Sequence, residues 1–257
     1  MTQDHALPFT PWRDFMAAWR WAQGEHVTIV GPTGTGKTTL MRALMVKRYA
    51  AGGAVAVLAT KPRDANLERW ARADHLAVVR TWPPRAPRFR RPADVVLPDG
   101  RRVAWDHRVM LWPRTHDAAT FAATMRDEHR AAINAMFVGG GWCIAAEELL
   151  YLCHDLGLAD ELTTLWTQGR SNGISVIGAT QRPVNIPLYA YSQASHLFMF
   201  GDNDDVNLSR LQGIGGMEGK TLREHVRSLP MHDVLYVGTR NRTLVRTRVP
   251  VRKAGPR

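Results

Sequence analysis

Between His26 and Leu44 the chain reads HVTIVGPTGTGKTTLMRAL, a five-residue apolar strand that enters a glycine loop and passes directly into an amphipathic helix. No other stretch restricts the fold so much, because a strand, a tight loop and a helix in this order make the first half of a parallel β-α-β unit. Gly31, Gly34 and Gly36 let the backbone curl so that successive N–H groups point inward at an anion, and the N-terminus of the following helix adds its partial positive charge. Gly31, Pro32, Thr33, Gly34, Thr35, Gly36, Lys37, Thr38 and Thr39 are therefore the expected cradle of a nucleoside triphosphate such as ATP. In it Lys37 reaches the β- and γ-phosphates and the Thr38 hydroxyl lies on Mg²⁺. Leu40, Met41, Leu44 and Met45 repeat at helical spacing and face the core, and Gly52-Gly53 ends the helix.

The chain has 257 residues, of which 45% are hydrophobic, enough for one α/β domain with modest extensions. The expectation is a single domain over residues 1–257, with an N-terminal helix in 1–24, an insert at 81–102 and a basic tail at 240–257. Lys plus Arg outnumber Asp plus Glu by 34 to 23, a net charge of +11. Such an excess suits a polyanion, nucleic acid first, although solubilising charge spread over the surface gives the same sum. Cys143 and Cys153 are the two cysteines and do not make a disulfide framework. The N-terminus lacks the apolar core of a signal peptide and no run of about 18 apolar residues occurs, so a cytoplasmic chain without a membrane span is expected.

Strands alternate with helices along the sequence, the pattern of a mostly parallel sheet covered on both faces. Thr10 is placed to cap a first helix with Pro11 in its first turn; Trp12, Phe15, Met16 and Trp19 line one side, and Gln23-Gly24 stops it. Further strands are read at Ala54–Thr60, His75–Arg80 and Arg108–Pro113. Asp117 caps a helix reaching about Met136, with Phe121, Met125, Ala132 and Met136 inward. The stretch from Thr81 to Arg102 holds five prolines and six arginines, which excludes a helix and leaves a loop or a small hairpin. Ten histidines without HExxH or paired ligand spacing give no transition-metal site.

The strand from Trp142 to Ala146 ends in Glu147-Glu148, two carboxylates at the C-terminal edge of a parallel sheet, where open α/β folds hold ligands. Paired with a phosphate loop, the first acid is expected to hold Mg²⁺ and the second to orient and deprotonate the attacking water. Taken alone, the pair would merely favour the start of the helix that follows.

The run GRSNGISVIGATQRP, Gly169 to Pro183, resembles the corresponding run of the FtsK–HerA superfamily of DNA-pumping ATPases, and the resemblance extends over roughly Glu25 to Pro250. It implies a RecA-like P-loop NTPase core of the ASCE type, with C-terminal strands at His196–Phe200 and Val234–Thr239. It makes Gln181 the sensor of the γ-phosphate, between the acids' strand and the phosphate loop. Arg170, just before that strand, becomes the finger that reaches into a neighbouring subunit's site. Two departures stand out. The superfamily has Asp-Glu where this chain has Glu147-Glu148, so the first acid is one methylene longer. Neither the membrane segments nor the winged-helix region of the cell-division translocases is found, and a compact, basic chain is more similar to the viral genome-packaging ATPases.

What the resemblance implies as activity is DNA-stimulated ATP hydrolysis by a homo-oligomeric ring, a pentamer or hexamer, that threads double-stranded DNA in the host cytoplasm, with a portal or capsid protein as partner. For the DNA path the insert offers Arg85, Arg88, Arg90 and Arg91, and the loop around Gly213 to Lys220 is a second candidate; either is equally readable as outer surface. Arg246, Arg248, Arg252 and Lys253 in the tail hold DNA, a portal-like partner, or nothing. Two alternatives share the engine: a conjugation or mobile-element DNA-transfer ATPase, and a phage assembly ATPase that ignores DNA.

Overall fold

The structure, a computed structural model, describes residues 7–83, 95–96, 102–103, 108–114, 117–210 and 219–251. Eleven strands form among these: β1 His26–Val30, β2 Ala54–Leu58, β3 Ala77–Val79, β4 Val95–Val96, β5 Arg102–Val103, β6 Arg108–Leu111, β7 Trp142–Ala146, β8 Ser175–Thr180, β9 Ala194–Phe200, β10 Asp233–Gly238 and β11 Thr243–Arg248. Nine of them make one sheet in the order β11-β10-β9-β1-β8-β7-β2-β6-β3. All neighbours from β9 to β3 run parallel, whereas β10 and β11 add on antiparallel. The expected mostly parallel sheet is present, and β4 pairs with β5 as the small hairpin inside the insert. Arg85, Arg88, Arg90, Arg91 and residues 213–218 lie outside the described residues.

Helices cover both faces, which is why β1, β2 and β7 are buried at every position and read as continuous apolar runs. Side chains still alternate. Ala54, Ala56 and Leu58 of β2 pack on one side with Met125, Ala132 and Met136 of α4 (Ala118–Gly139) and Leu162 and Leu165 of α5 (Ala159–Gln168). Val55 and Val57 pack on the other side with Leu40, Met41 and Leu44 of α2 (Lys37–Ala50) and Leu67 and Trp70 of α3 (Ala65–Ala73). Each side chain of this size contributes about 1.5–3 kcal/mol when fully buried. Asp117 caps α4 as expected, accepting from the Ala119 N–H at 2.9 Å, but the helix runs on to Gly139 before Gly140 turns it at φ 67°.

The first helix, α1, differs from its reading. It spans Trp12–Ala18, and its N-cap is Pro11, with no side-chain cap. Thr10 instead donates its N–H to the Arg246 carbonyl on the edge strand β11, which draws it out of capping geometry. The helix stops well short of Gln23-Gly24 because Trp19 turns extended and is buried against His196 and Phe198. After the acids, the helical segment widens into a π-turn at Tyr151–Asp155, a feature that periodicity does not reveal.

At this edge of the sheet β11 is present as the expected edge strand, and two of its arginines are ion-paired. Arg246 and Arg248 both donate to the fully buried Asp233 at the start of β10, at 2.8 and 2.5 Å. They hold two strands together, the Arg248 side chain remaining 56% exposed, whereas Arg252 and Lys253 lie outside the described residues.

Candidate functional site

Two adjacent strands fix the glycine loop from below. The Gly31 N–H donates to the Thr180 carbonyl at the end of β8 (3.2 Å), so the loop begins where β1 and β8 end together. Gly34 and Gly36 stand at φ 82° and 117°, a region that side-chain-bearing residues rarely adopt. A Cβ on Gly36 would also approach the Val251 side chain to 3.0 Å, because the chain after β11 returns under the loop. There His232 donates its Nδ1–H to the Thr35 carbonyl at 2.9 Å. The N–H groups of Thr33, Gly34, Thr35 and Gly36 take no acceptor among the described residues, which is the arrangement an anion needs.

Lys37 crosses this cradle and donates to the carbonyls of Gly31 (2.6 Å) and Pro32 (2.8 Å). Burial pushes its ammonium down to about 8; Lys61 nearby lowers it further, while Glu148, Glu147 and Asp202 oppose the shift. A half-desolvated ammonium held only by two backbone carbonyls keeps its charge available for a polyphosphate. Thr38 and Thr39 follow in the first turn of α2.

Glu147 and Glu148 leave β7 at the same edge and differ in their surroundings. Glu148 accepts from Gln181 Nε2 at 3.1 Å through Oε2, and its Oε1 is buried with no partner. Burial raises its carboxyl above the ordinary range, against the Gln181 bond and the charge of Lys37. A partly desolvated carboxylate with one oriented and one free oxygen is what a general base requires. Gln181 in turn accepts from the Thr33 hydroxyl at 2.6 Å, so a single side chain joins the loop to Glu148. Because β8 pairs with both β1 and β7, its end lies between the loop that follows β1 and the acids that follow β7.

Glu147 is buried and already paired. Lys61 donates to its Oε1 at 2.9 Å and the Thr60 hydroxyl to its Oε2 at 3.3 Å. Lys61 also binds Asp64 at 2.9 Å; although burial works against it, these bonds raise the ammonium to about 12. The sequence reading passed over Lys61. A polar Thr60-Lys61 pair follows the end of β2 one residue later than Glu147-Glu148 follow β7, and β2 is the neighbour of β7 in the sheet. That parallel was the available signal.

Arg170 is not brought to this edge. It sits in the 3₁₀ turn Gly169–Asn172 before β8, against the turn that precedes β1, where a Cβ on Gly24 would meet its carbonyl at 3.0 Å and its Cγ at 3.2 Å. The lengths of β1 and β8 put roughly 17–20 Å between it and its own phosphate loop, farther than an arginine side chain extends.

With this geometry in place, the likeness to known proteins is one of fold. The genome packaging NTPase B204 of Sulfolobus turreted icosahedral virus 2, in complex with sulfate, superposes with a TM-score of 0.58 over 89% of this chain and 97% of that one, at 15% identity. VirB4 of Thermoanaerobacter pseudethanolicus gives 0.63 over 89% and 90%, at 10% identity. The plasmid coupling protein TrwB with an ATP analogue gives 0.55 over 90% and 87%, at 12% identity. The chain has the fold of a P-loop NTPase. The P-loop NTPase fold implied by the resemblance read from Gly169–Pro183 is thus borne out over 89% of the chain. A family model described as ABC transporter matches residues 17–135 of this P-loop NTPase fold, the part that holds the phosphate loop, and ends before the acids' strand. No curated protein matches the sequence. Among the described residues no helix is long and apolar enough to cross a membrane.

Proposed function

We propose that the chain is an ATP hydrolase that drives DNA transfer as a homo-oligomeric ring, of the kind that packages a viral genome. The observation that carries the ATPase reading is the continuous bridge from Thr33 through Gln181 to Glu148, which couples the phosphate loop to the base. Whole-chain likeness to a genome packaging NTPase and a net charge of +11 support DNA as the cargo.

In this reading the loop N–H groups and Lys37 hold the triphosphate, which displaces the Gly31 and Pro32 carbonyls as the partners of Lys37. Glu148 takes a proton from the attacking water at Oε1 or through Oε2, and Gln181 holds the water and the terminal phosphate relative to Thr33. When the phosphate leaves, Gln181 returns to Thr33 and Glu148 alone, and β8 transmits the change to the segments that follow it. The free Glu148 Oε1, the unfilled N–H groups and the hydroxyl of Thr38 suit Mg²⁺·ATP, with Thr38 and Glu147 as the metal's protein partners. Bound there, Mg²⁺ neutralises charge on the transferring phosphoryl group. Arg170 supplies the last positive charge from a second subunit, since its own site is out of reach.

Stimulation of ATP hydrolysis by duplex DNA tests the proposal. Binding should ignore sequence and fall steeply with salt, each neutralised phosphate giving a log–log slope of about 0.9. Alanine at Arg88, Arg90 and Arg91 together should flatten that slope and reduce stimulation at an unchanged basal rate. Hydrolysis indifferent to DNA would instead support an assembly ATPase that handles protein. The likeness to TrwB favours a second DNA reading, plasmid transfer, which a neighbouring capsid or portal gene would exclude.

A further inference from the structure

Glu147, the acid expected to serve the metal, carries a cation of its own. Lys61 Nζ lies 2.9 Å from Oε1, Thr60 Oγ1 lies 3.3 Å from Oε2, and the Glu147 side chain is 4% exposed. The ammonium is held in place from three directions: by Glu147, by Asp64 at 2.9 Å, and through its own backbone, whose carbonyl accepts the Trp112 indole N–H at 2.6 Å. Asp64 is itself fixed as the N-cap of α3, accepting from the N–H groups of Asn66 and Leu67. Lys61 nevertheless remains half exposed, just past the end of β2 beside the strand that carries Glu147 and Glu148. A fixed ammonium on the carboxylate expected to serve the metal places one positive charge, half that of a divalent cation, on the same oxygen.

We propose that Lys61 is a resident counter-ion that a divalent cation must displace from Glu147, and that its ammonium partly replaces the metal in binding the triphosphate. This rests on the phosphate-loop reading and deepens it. Two consequences have opposite signs. While Lys61 holds Glu147, metal binding competes with an ion pair, so removing the lysine charge should tighten metal binding. Without metal, Lys61 is the second positive charge beside Lys37, so the same change should weaken the binding of free triphosphate. A lysine whose only role is to orient Glu147 for the metal would weaken metal binding when removed.

Lys61→Gln keeps a hydrogen-bond donor for Glu147 and removes the charge; Lys61→Arg keeps the charge. Binding of a fluorescent ATP analogue is measured in EDTA, and Mn²⁺ binding in the presence of a non-hydrolysable analogue is followed by electron paramagnetic resonance. For Lys61→Gln the metal-free affinity should fall about fivefold, the upper end for a half-exposed ion pair, and the Mn²⁺ midpoint should drop by a similar factor. Lys61→Arg should restore both. An Mn²⁺ midpoint that stays put or rises in folded Lys61→Gln overturns the assignment. Lys37→Ala, run alongside, separates the two claims: loss of binding there with no metal response at Lys61 rejects the counter-ion alone, whereas wild-type affinity in Lys37→Ala rejects the phosphate loop and the counter-ion together.

Discussion

Arg170 lies at the N-terminal end of β8 and the phosphate loop follows the C-terminal end of β1, so the two cannot meet within one subunit. Arg170→Ala should therefore bind ATP normally and lose hydrolysis by about 10³-fold or more, the factor such fingers supply. Lys37→Ala should be silent for the opposite reason, having a sound finger and no triphosphate. Mixing the two gives a quantitative expectation. In a head-to-tail ring each working interface needs a loop from an Arg170→Ala subunit and a finger from a Lys37→Ala neighbour. With random assembly the competent share is the product of the two fractions, at most about a quarter at equal mixing. Activity should thus rise from two inactive ends to a maximum near equal proportions, roughly 250-fold above the Arg170→Ala background. The assay is steady-state ATP hydrolysis across the titration, with light scattering and labelled subunits showing that the oligomers are mixed. A rate that never exceeds the weighted sum of the two variants, in oligomers shown to be mixed, would refute the trans assignment. Arg170 would then support only the turn before Ile174.

Glu148→Gln should bind ATP as the wild type does and fail to hydrolyse it, because it keeps the shape of the site and loses the proton acceptor; measurable turnover would move the base elsewhere. Since burial raises Glu148 and catalysis needs its carboxylate, the turnover rate should be full at high pH and fall as pH drops through a value above the ordinary glutamate range. An acid limb near the unperturbed value of about 4.3 would contradict that reading. Gly178→Ala tests the packing beneath the base: an added Cβ would lie 2.5 Å from Leu149 Cδ1 and 2.8 Å from Trp166 Cη2. A cost of about 1–3 kcal/mol and a melting temperature several degrees lower are expected, with turnover falling because Leu149 adjoins Glu148. An unchanged melting curve would mean that the two side chains have room to yield.

The sequence by itself determined the phosphate loop, since a strand, glycines needing left-handed φ and an amphipathic helix are local features whose chemistry is written in consecutive residues. The alternation of buried strands with helices likewise predicted a mostly parallel sheet, because the period of each element is visible without its partners. Glu147, Glu148 and Gln181 were legible as strand-terminal polar residues after apolar runs, although not the order of the strands that carry them. Only the tertiary structure decided what those groups meet. That Gln181 bridges Thr33 to Glu148 depends on β8 lying between β7 and β1, the latter more than a hundred residues away along the chain. Lys61 on Glu147 depends on β2 adjoining β7, and the withdrawal of Arg246 and Arg248 onto Asp233 depends on the register of β10 and β11. The early end of α1 has the same origin, since burying Trp19 against His196 and Phe198 outweighs a few more helical hydrogen bonds. Local propensity and spacing fix what a segment can become; which charges neutralise one another is set by strand order and register, where distances in space have no counterpart in distance along the chain.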